Sequence, residues 1–217
     1  MAGSSLIAAS GRLLHRFARP PLGYPLGVQT LGLTFDDGPD PVWTSRLLDL
    51  LDALDARATF FPIAARAAAH PQLIERMRRD GHTVGLHCHE HVRHGDRDPQ
   101  WLRRDTRLAL ARLAGVGVRP SLWRTPWGDV APWSEAIADE HGLQLVGWSA
   151  DTHDWRGDVA EQMIATTQDS IEPGAIVLAH DGIGPGSRRD GASETVRYVE
   201  LVAGHARSRG LAIEALA

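Results

Sequence analysis

The sequence predicts an α/β fold built on parallel strands, and three observations carry that reading. Apolar, strand-like segments recur at roughly 31–35, 58–62, 83–87, 121–125, 143–149, 175–180 and 211–216. Helix-like patterns fill the intervals near 43–55, 71–80, 99–114, 132–141, 158–170 and 191–208. No internal repeat and no linker interrupts the alternation. Strands that alternate with helices pair in parallel through right-handed crossovers, since each helix carries the chain back before the next strand begins. Seven such strands fit either an open doubly wound sheet or a closed barrel.

Local signals justify the elements in order. The first strand, Leu31–Phe35, ends at two carboxylates, and Pro41 then precedes the helix at 43–55. Pro71 precedes the second helix and Pro132 sits in the first turn of the fourth. Proline suits those places because its missing N–H would have no helical partner there. Gly81, Gly142 and Gly210 each fall just past a helix, where a left-handed cap is expected. The loop "DGIGPGSRRDGAS" after the sixth strand lacks the G-x-G-x-x-G spacing of a phosphate loop, and Pro185 removes an amide donor from it.

Composition bounds the function. The 217 residues are 43% hydrophobic and 23% charged, enough for one folded domain with a sizeable core. A net charge of −4 gives no general attraction to nucleic acid or anionic membrane. All 23 basic residues are arginine, spread along the chain. Cys88 is the only cysteine, so no intramolecular disulfide forms. No apolar run approaches the 18 or so residues of a membrane span. Residues 1–28 read as an N-terminal extension and 29–217 as the domain. The extension's apolar core is about five residues, short of the 7–15 or so of a signal peptide, and Leu6, Leu13, Leu14 and Phe17 form a helical stripe instead. A cytoplasmic location is the expectation, with secretion the alternative if a leader has been removed. Oligomeric state is left open.

The reactive side chains fall at strand ends. Asp36 and Asp37 follow the first strand, His87 and His91 the third, Arg124 the fourth, Asp151 and Asp154 the fifth, and His180 the sixth. In parallel α/β folds all strand C-termini face one way, and sites form there. The stretch "GLHCHEHVRH" holds four of the eleven histidines. A solvated histidine-rich turn is the plain reading. His87 and His91, four apart, would however aim both imidazoles at one ion from one helical turn, with His89 pointing elsewhere and His94 a weaker candidate.

Two imidazoles and a carboxylate with an open position make a hydrolytic metal site. The adjacent Asp36 and Asp37 then make sense: one binds the cation, the other takes a proton from water, and the cation offsets their repulsion. An Asx turn alone would use only one of them. Arg124 in "LWRTPWG" is either a surface arginine or a clamp on a nearby carboxylate. His180 in "IVLAHD" suits a general acid stabilised by an Asp one strand away.

These motifs resemble the polysaccharide deacetylases with NodB homology, carbohydrate esterase family 4. "TFDDGP" at 34–39, "HCHEH" at 87–91, "RTPWG" at 124–128, "DTHDW" at 151–155 and "LAH" at 178–180 appear in the family's order. The resemblance implies a distorted (β/α)7 barrel that removes acetyl groups from N- or O-acetylated sugars. It implies Asp37, His87 and His91 as metal ligands, Asp36 as general base oriented by Arg124, and His180 as general acid. Asp151 is the first choice for the carboxylate behind His180 and Asp154 the second. Trp155 and Leu178 are implied to wall the pocket, and the backbone N–H of Trp127 to face the oxyanion.

Zinc is the expected cofactor, with cobalt or nickel as alternatives. The chain departs from the family where Cys88 replaces Ser or Thr, and where Thr125 and Trp127 replace the second and fourth positions of Arg-Pro-Pro-Tyr. The expected partner is an acetylated carbohydrate, chitin oligomers or peptidoglycan. A small acylated metabolite, acetylxylan and a silent glycan-binding barrel are the other readings.

Overall fold

In the computed structural model, which describes residues 29–217, β1 (Thr30–Asp36) runs through the centre of a parallel sheet. Around it lie α1 (Trp43–Ala53), β2 (Thr59–Phe61), α2 (Ala64–Ala69), α3 (Pro71–Arg79), β3 (Thr83–Val84) and α4 (Pro99–Gly115). The chain continues through β4 (Leu122–Trp123), α5 (Ser134–Glu140), β5 (Gln144–Leu145) and β6 (Ala150–Asp151). It ends with α6 (Ala160–Thr167), β7 (Ile176–His180), α7 (Ser193–Ser208) and β8 (Ala212–Ile213). The expected extension at 1–28 and its helical stripe lie outside the described residues.

Strand order is β3-β2-β1-β7-β6, with β4-β5 as a separate pair. The parallel bridge Leu86↔Trp123 continues the sheet from β3 to β4. No ladder joins β5 to β6 among the described residues, and this gap is the distortion of the expected (β/α)7 barrel.

All seven residues of β1 are buried, as a strand covered on both faces requires. Leu31, Leu33 and Phe35 pack outward with Phe60, Leu47 and Leu51 in the main core, where the Phe35 and Phe60 rings stack 5.2 Å apart. The alternate positions point inward. Phe61, Leu122, Val146, Ile176 and Leu216 fill the barrel interior. The same period of two aims Asp36 of β1 and His180 of β7, which are register partners, to one side.

Three expectations from the sequence are corrected. The segment 143–149 holds only the short β5 and breaks off after Leu145, and β6 starts beyond it at Ala150, where the Ser149 N–H has already turned to Ile176 O at 2.9 Å. The alanine-rich stretch Ala64–Ala69 forms a short helix that periodicity did not reveal. The last strand, β8, pairs with Thr30 and Leu31 at the start of β1, away from the strand ends that carry reactive groups.

Beyond β8 the chain seals the barrel floor. The Leu216 N–H donates to Thr59 Oγ1 at 2.8 Å, and its carbonyl accepts from Thr83 Oγ1 at 2.7 Å. A Cβ on Gly32 would lie 2.8 Å from Leu216 Cδ2, so the bare glycine leaves the space that the leucine fills. Leu216→Ala is expected to destabilise the fold by about 2–5 kcal/mol through lost contacts and an unfilled cavity, read as a lowered urea midpoint.

Candidate active site

Asp36 ends β1 inside the barrel, 4% exposed, and its Oδ1 accepts from Arg124 Nη1 at 3.1 Å. Arg124 is fully buried. Its Nη1 also reaches Thr34 Oγ1 at 2.6 Å, its Nη2 donates to Gly147 O at 2.9 Å, and its Nε to Val146 O at 3.4 Å. The guanidinium lies 4.4 Å over the Phe61 ring. Burial pulls the Arg124 pKa down, and the Asp36 carboxylate works against that pull.

Directly after Asp36 the backbone turns through a left-handed residue, Asp37, at φ 72. Short polar side chains tolerate that region better than most. The turn sends the second carboxylate away from the first. Its carbonyl accepts from Arg66 Nη1 at 2.8 Å, which holds it there. Asp37 Oδ1 lies 3.3 Å from His87 Nε2 and 3.2 Å from His91 Nε2. These ligand-type atoms all lie within 4.8 Å of one another. His87 and His91 do not share a helical turn, as their spacing suggests; they flank an irregular turn after the Leu86 bridge.

The donor set fits a divalent cation. His87 Nδ1 lies 2.8 Å from the Arg124 carbonyl, which can only accept, so Nδ1 carries the proton and Nε2 offers a lone pair. Asp37 Oδ1 is buried without a hydrogen-bond donor, although both imidazoles approach it. Converging acceptors with no donor between them are what a metal satisfies. Burial opposes charge on Asp37, yet the two histidines hold its carboxyl well below the usual carboxylate range. The opposite loop presses close: a Cβ on Gly184 would fall 1.9 Å from Asp37 Oδ2, so only glycine fits.

His180 faces the pair from β7. Its Nδ1 lies 2.7 Å from Asp154 Oδ1, and its backbone N–H donates to Asp154 Oδ2 at 2.9 Å. Thr195 Oγ1 and Arg189 Nη1 complete the shell around that carboxylate at 2.8 and 2.9 Å. The structure thus reverses the order of choice made from the sequence: Asp154, not Asp151, lies behind His180. Asp151 instead accepts the His153 N–H at 2.8 Å and lines the cleft. The inversion comes from the 3-10 turn Asp154–Arg156, which tucks Asp154 fully under β7. Burial alone would push His180 down, but the Asp154 carboxylate raises it to about 9. Burial would raise Asp154, and His180 instead lowers it to about 2.

These groups open on one cleft of about 330 Å³, whose walls include Trp127, Trp155 and Leu178. A sequence model of the family described as Polysaccharide deacetylase matches residues 23–146, more than half of the chain. The chain belongs to the polysaccharide deacetylases. Among its relatives is a chitooligosaccharide deacetylase from Bradyrhizobium, 34% identical over 88% of this chain and 90% of that one. A peptidoglycan-N-acetylglucosamine deacetylase from Bacillus cereus is 33% identical over 78% of this chain and 83% of that one. The family 4 carbohydrate esterase of Streptomyces lividans, solved with acetate, superposes with a TM-score of 0.77 at 25% identity, covering 85% of this chain and 91% of that one. A Bacillus anthracis pseudoenzyme of the same family shares the fold, with a TM-score of 0.78 at 19% identity over 88% of this chain and 64% of its own.

Around this deacetylase site sit residues that sequence reasoning missed. Asp105 on α4, 5% exposed, accepts the N–H groups of His89 and Glu90 at 3.0 and 2.8 Å and so clamps the turn between His87 and His91. An acid inside an otherwise apolar helical stripe was the available signal. Asp181, directly after His180, accepts from Gly38 N–H at 3.1 Å and from Thr44 Oγ1. Burial raises its carboxyl to about 7. His94 is no ligand; its Nδ1 meets Ser134 Oγ at 2.9 Å in the core. Cys88 is buried, and burial pushes its thiol up.

Asp105→Ala removes the acceptor of two part-buried N–H groups and is expected to lower stability by about 1–3 kcal/mol in urea unfolding, with Asp105→Asn milder. In the metal-free protein, proton NMR is expected to titrate His180 near 9 rather than 6.5, and Asp154→Asn to lower it. The sign follows from linkage: the raised His180 contributes stability fully below pH 6.5 and loses it as pH rises through about 9. The depressed Asp154 contributes above 3.8 and loses it as pH falls through about 2.

Proposed function

We propose that this deacetylase hydrolyses the acetamido group of N-acetylglucosamine units in a glycan chain, with a divalent cation at Asp37, His87 and His91. The observation that carries the reading is the convergence in one cleft of three sets: Asp36 on Arg124, Asp37 with two histidines, and His180 on Asp154. Since a pseudoenzyme shares the fold, the argument rests on these side chains and not on the barrel. The named activities of the chitooligosaccharide and peptidoglycan deacetylases support the substrate class. Residues 29–217 are read as the catalytic unit.

Zinc, or cobalt or nickel, in that donor set would supply a Lewis acid for the amide carbonyl. The chain's own residues do the proton work. Asp36, oriented by Arg124, takes a proton from the attacking water as the water oxygen bonds to the carbonyl carbon. The backbone N–H of Trp127 donates to the oxyanion, a contribution worth about 2.7–4 kcal/mol in comparable sites. His180, kept protonated at neutral pH by Asp154, gives its proton to the leaving nitrogen as the C–N bond breaks. Acetate and a free amine result. Trp155 and Leu178 exclude water around the acetyl methyl.

Acetate release from N-acetylglucosamine oligomers, peptidoglycan and acetylxylan, measured on the zinc-loaded protein, tests the assignment. Release from the amide substrates is expected, with Asp36→Asn lower by about 100-fold or more. Release from acetylxylan alone would make the protein an esterase. Undiminished release in the variant would remove Asp36 from the mechanism.

A further inference from the structure

Arginines near the site are almost all consumed by the fold. Arg124 is spent on Asp36 and two carbonyls. Arg66 donates to the carbonyls of Asp37 and Ile183. Arg189, which lines the cleft, is held by Asp154, Thr195 and the carbonyls of His180 and Gly182.

Arg93 differs. It lines the same cleft, is exposed, and has no ion pair or side-chain hydrogen bond with another described residue. Asp129 on the neighbouring rim is occupied otherwise, accepting the Gly95 N–H at 2.7 Å.

Yet Arg93 is not loose. Its guanidinium lies 4.7 Å over the Trp127 ring, and that ring meets His91 in a T-shaped contact at 4.2 Å between centroids. Stacking engages the face of a guanidinium and leaves the N–H donors around its edge free. A planar fork held by one face and unpaired along its edge matches the geometry of a carboxylate. The same contacts occupy Trp127, so its ring serves as a mount for the cation more than as an open platform for a sugar. The cation therefore stands one ring away from His91, in the lining of the same cleft.

We propose that Arg93 forms an anion subsite that reads a carboxylate on the sugar adjoining the one deacetylated, which selects an acidic glycan over a neutral one. The inference rests on the deacetylase reading above and narrows its substrate. Among the two glycan types named for the relatives, it favours the peptidoglycan type, and there the strands freed of stem peptide, in which N-acetylglucosamine alternates with a sugar whose lactyl group ends in a free carboxylate rather than in an amide to the peptide. An uncharged chitooligosaccharide offers Arg93 nothing to pair with.

The test compares two tetrasaccharides of equal length, chitotetraose and a peptide-free peptidoglycan tetrasaccharide, the latter also with its lactyl carboxylates amidated. Kinetics on the zinc-loaded protein and calorimetric binding to Asp36→Asn are both read. The acidic tetramer is expected to bind about tenfold or more tighter than its amidated form, the scale of one charge-assisted fork. R93Q is expected to erase that ratio, mainly through KM, and R93K to retain part of it because a point charge lacks the fork.

A preference that R93Q leaves intact, or equal binding of acidic and amidated forms, would overturn the proposal. Tighter binding of the acidic form without acetate release from any substrate would instead uphold the subsite and count against the deacetylase reading.

Discussion

Arg124 brings a permanent charge into a barrel only a few side chains wide, and the means by which that charge is satisfied fixes much of what surrounds it. Its partners come from two places: Thr34 and Asp36 on β1, and the carbonyls of Val146 and Gly147 beyond β5. Among the described residues, the β4-β5 pair joins the main sheet only through the Leu86 bridge, and no ladder closes the barrel between β5 and β6. The guanidinium spans that weak side. Removing one partner from such a buried pair leaves a charge uncompensated, typically a loss of about 3–5 kcal/mol. The group that clamps Asp36 is thus also a strut.

The adjacent carboxylates of β1 resolve their repulsion by geometry. Asp36 keeps the strand's inward direction and meets a cation of the protein. Asp37, turned by a left-handed φ of 72, meets two imidazoles on the other side of the chain. A single peptide unit divides two electrostatic environments, one closed by arginine and one open to a metal. His180 joins them from β7, where the register Asp36↔His180 sets the imidazole beside the carboxylate across one ladder rung.

Much of this was legible in the sequence because it depends on period and order. Apolar alternation located most strands, and parallel connectivity collected Asp36, Asp37, His87, His91, Arg124 and His180 at one end of the sheet. What escaped depends on local turns and on contacts between distant segments. Spacing could not say that 87–91 is an irregular turn clamped by Asp105, a residue 15 or 16 positions away. Nor could it separate Asp151 from Asp154, which differ only in how a 3-10 turn rolls them. The break inside 143–149 was hidden because Ser149 changes partner without changing polarity pattern. The ring of Trp127 was recognised as a departure, but its mounting of Arg93 needed coordinates.

The leucine at the floor has a consequence for traffic. Among the described residues, Leu216 and its neighbours stopper the barrel from below, and the cleft opens at the strand ends that carry Asp37 and His180. Under the reaction proposed above, the acid set free beside Asp37 and His180 leaves on the same side, past the cleft walls formed by Trp127 and Trp155.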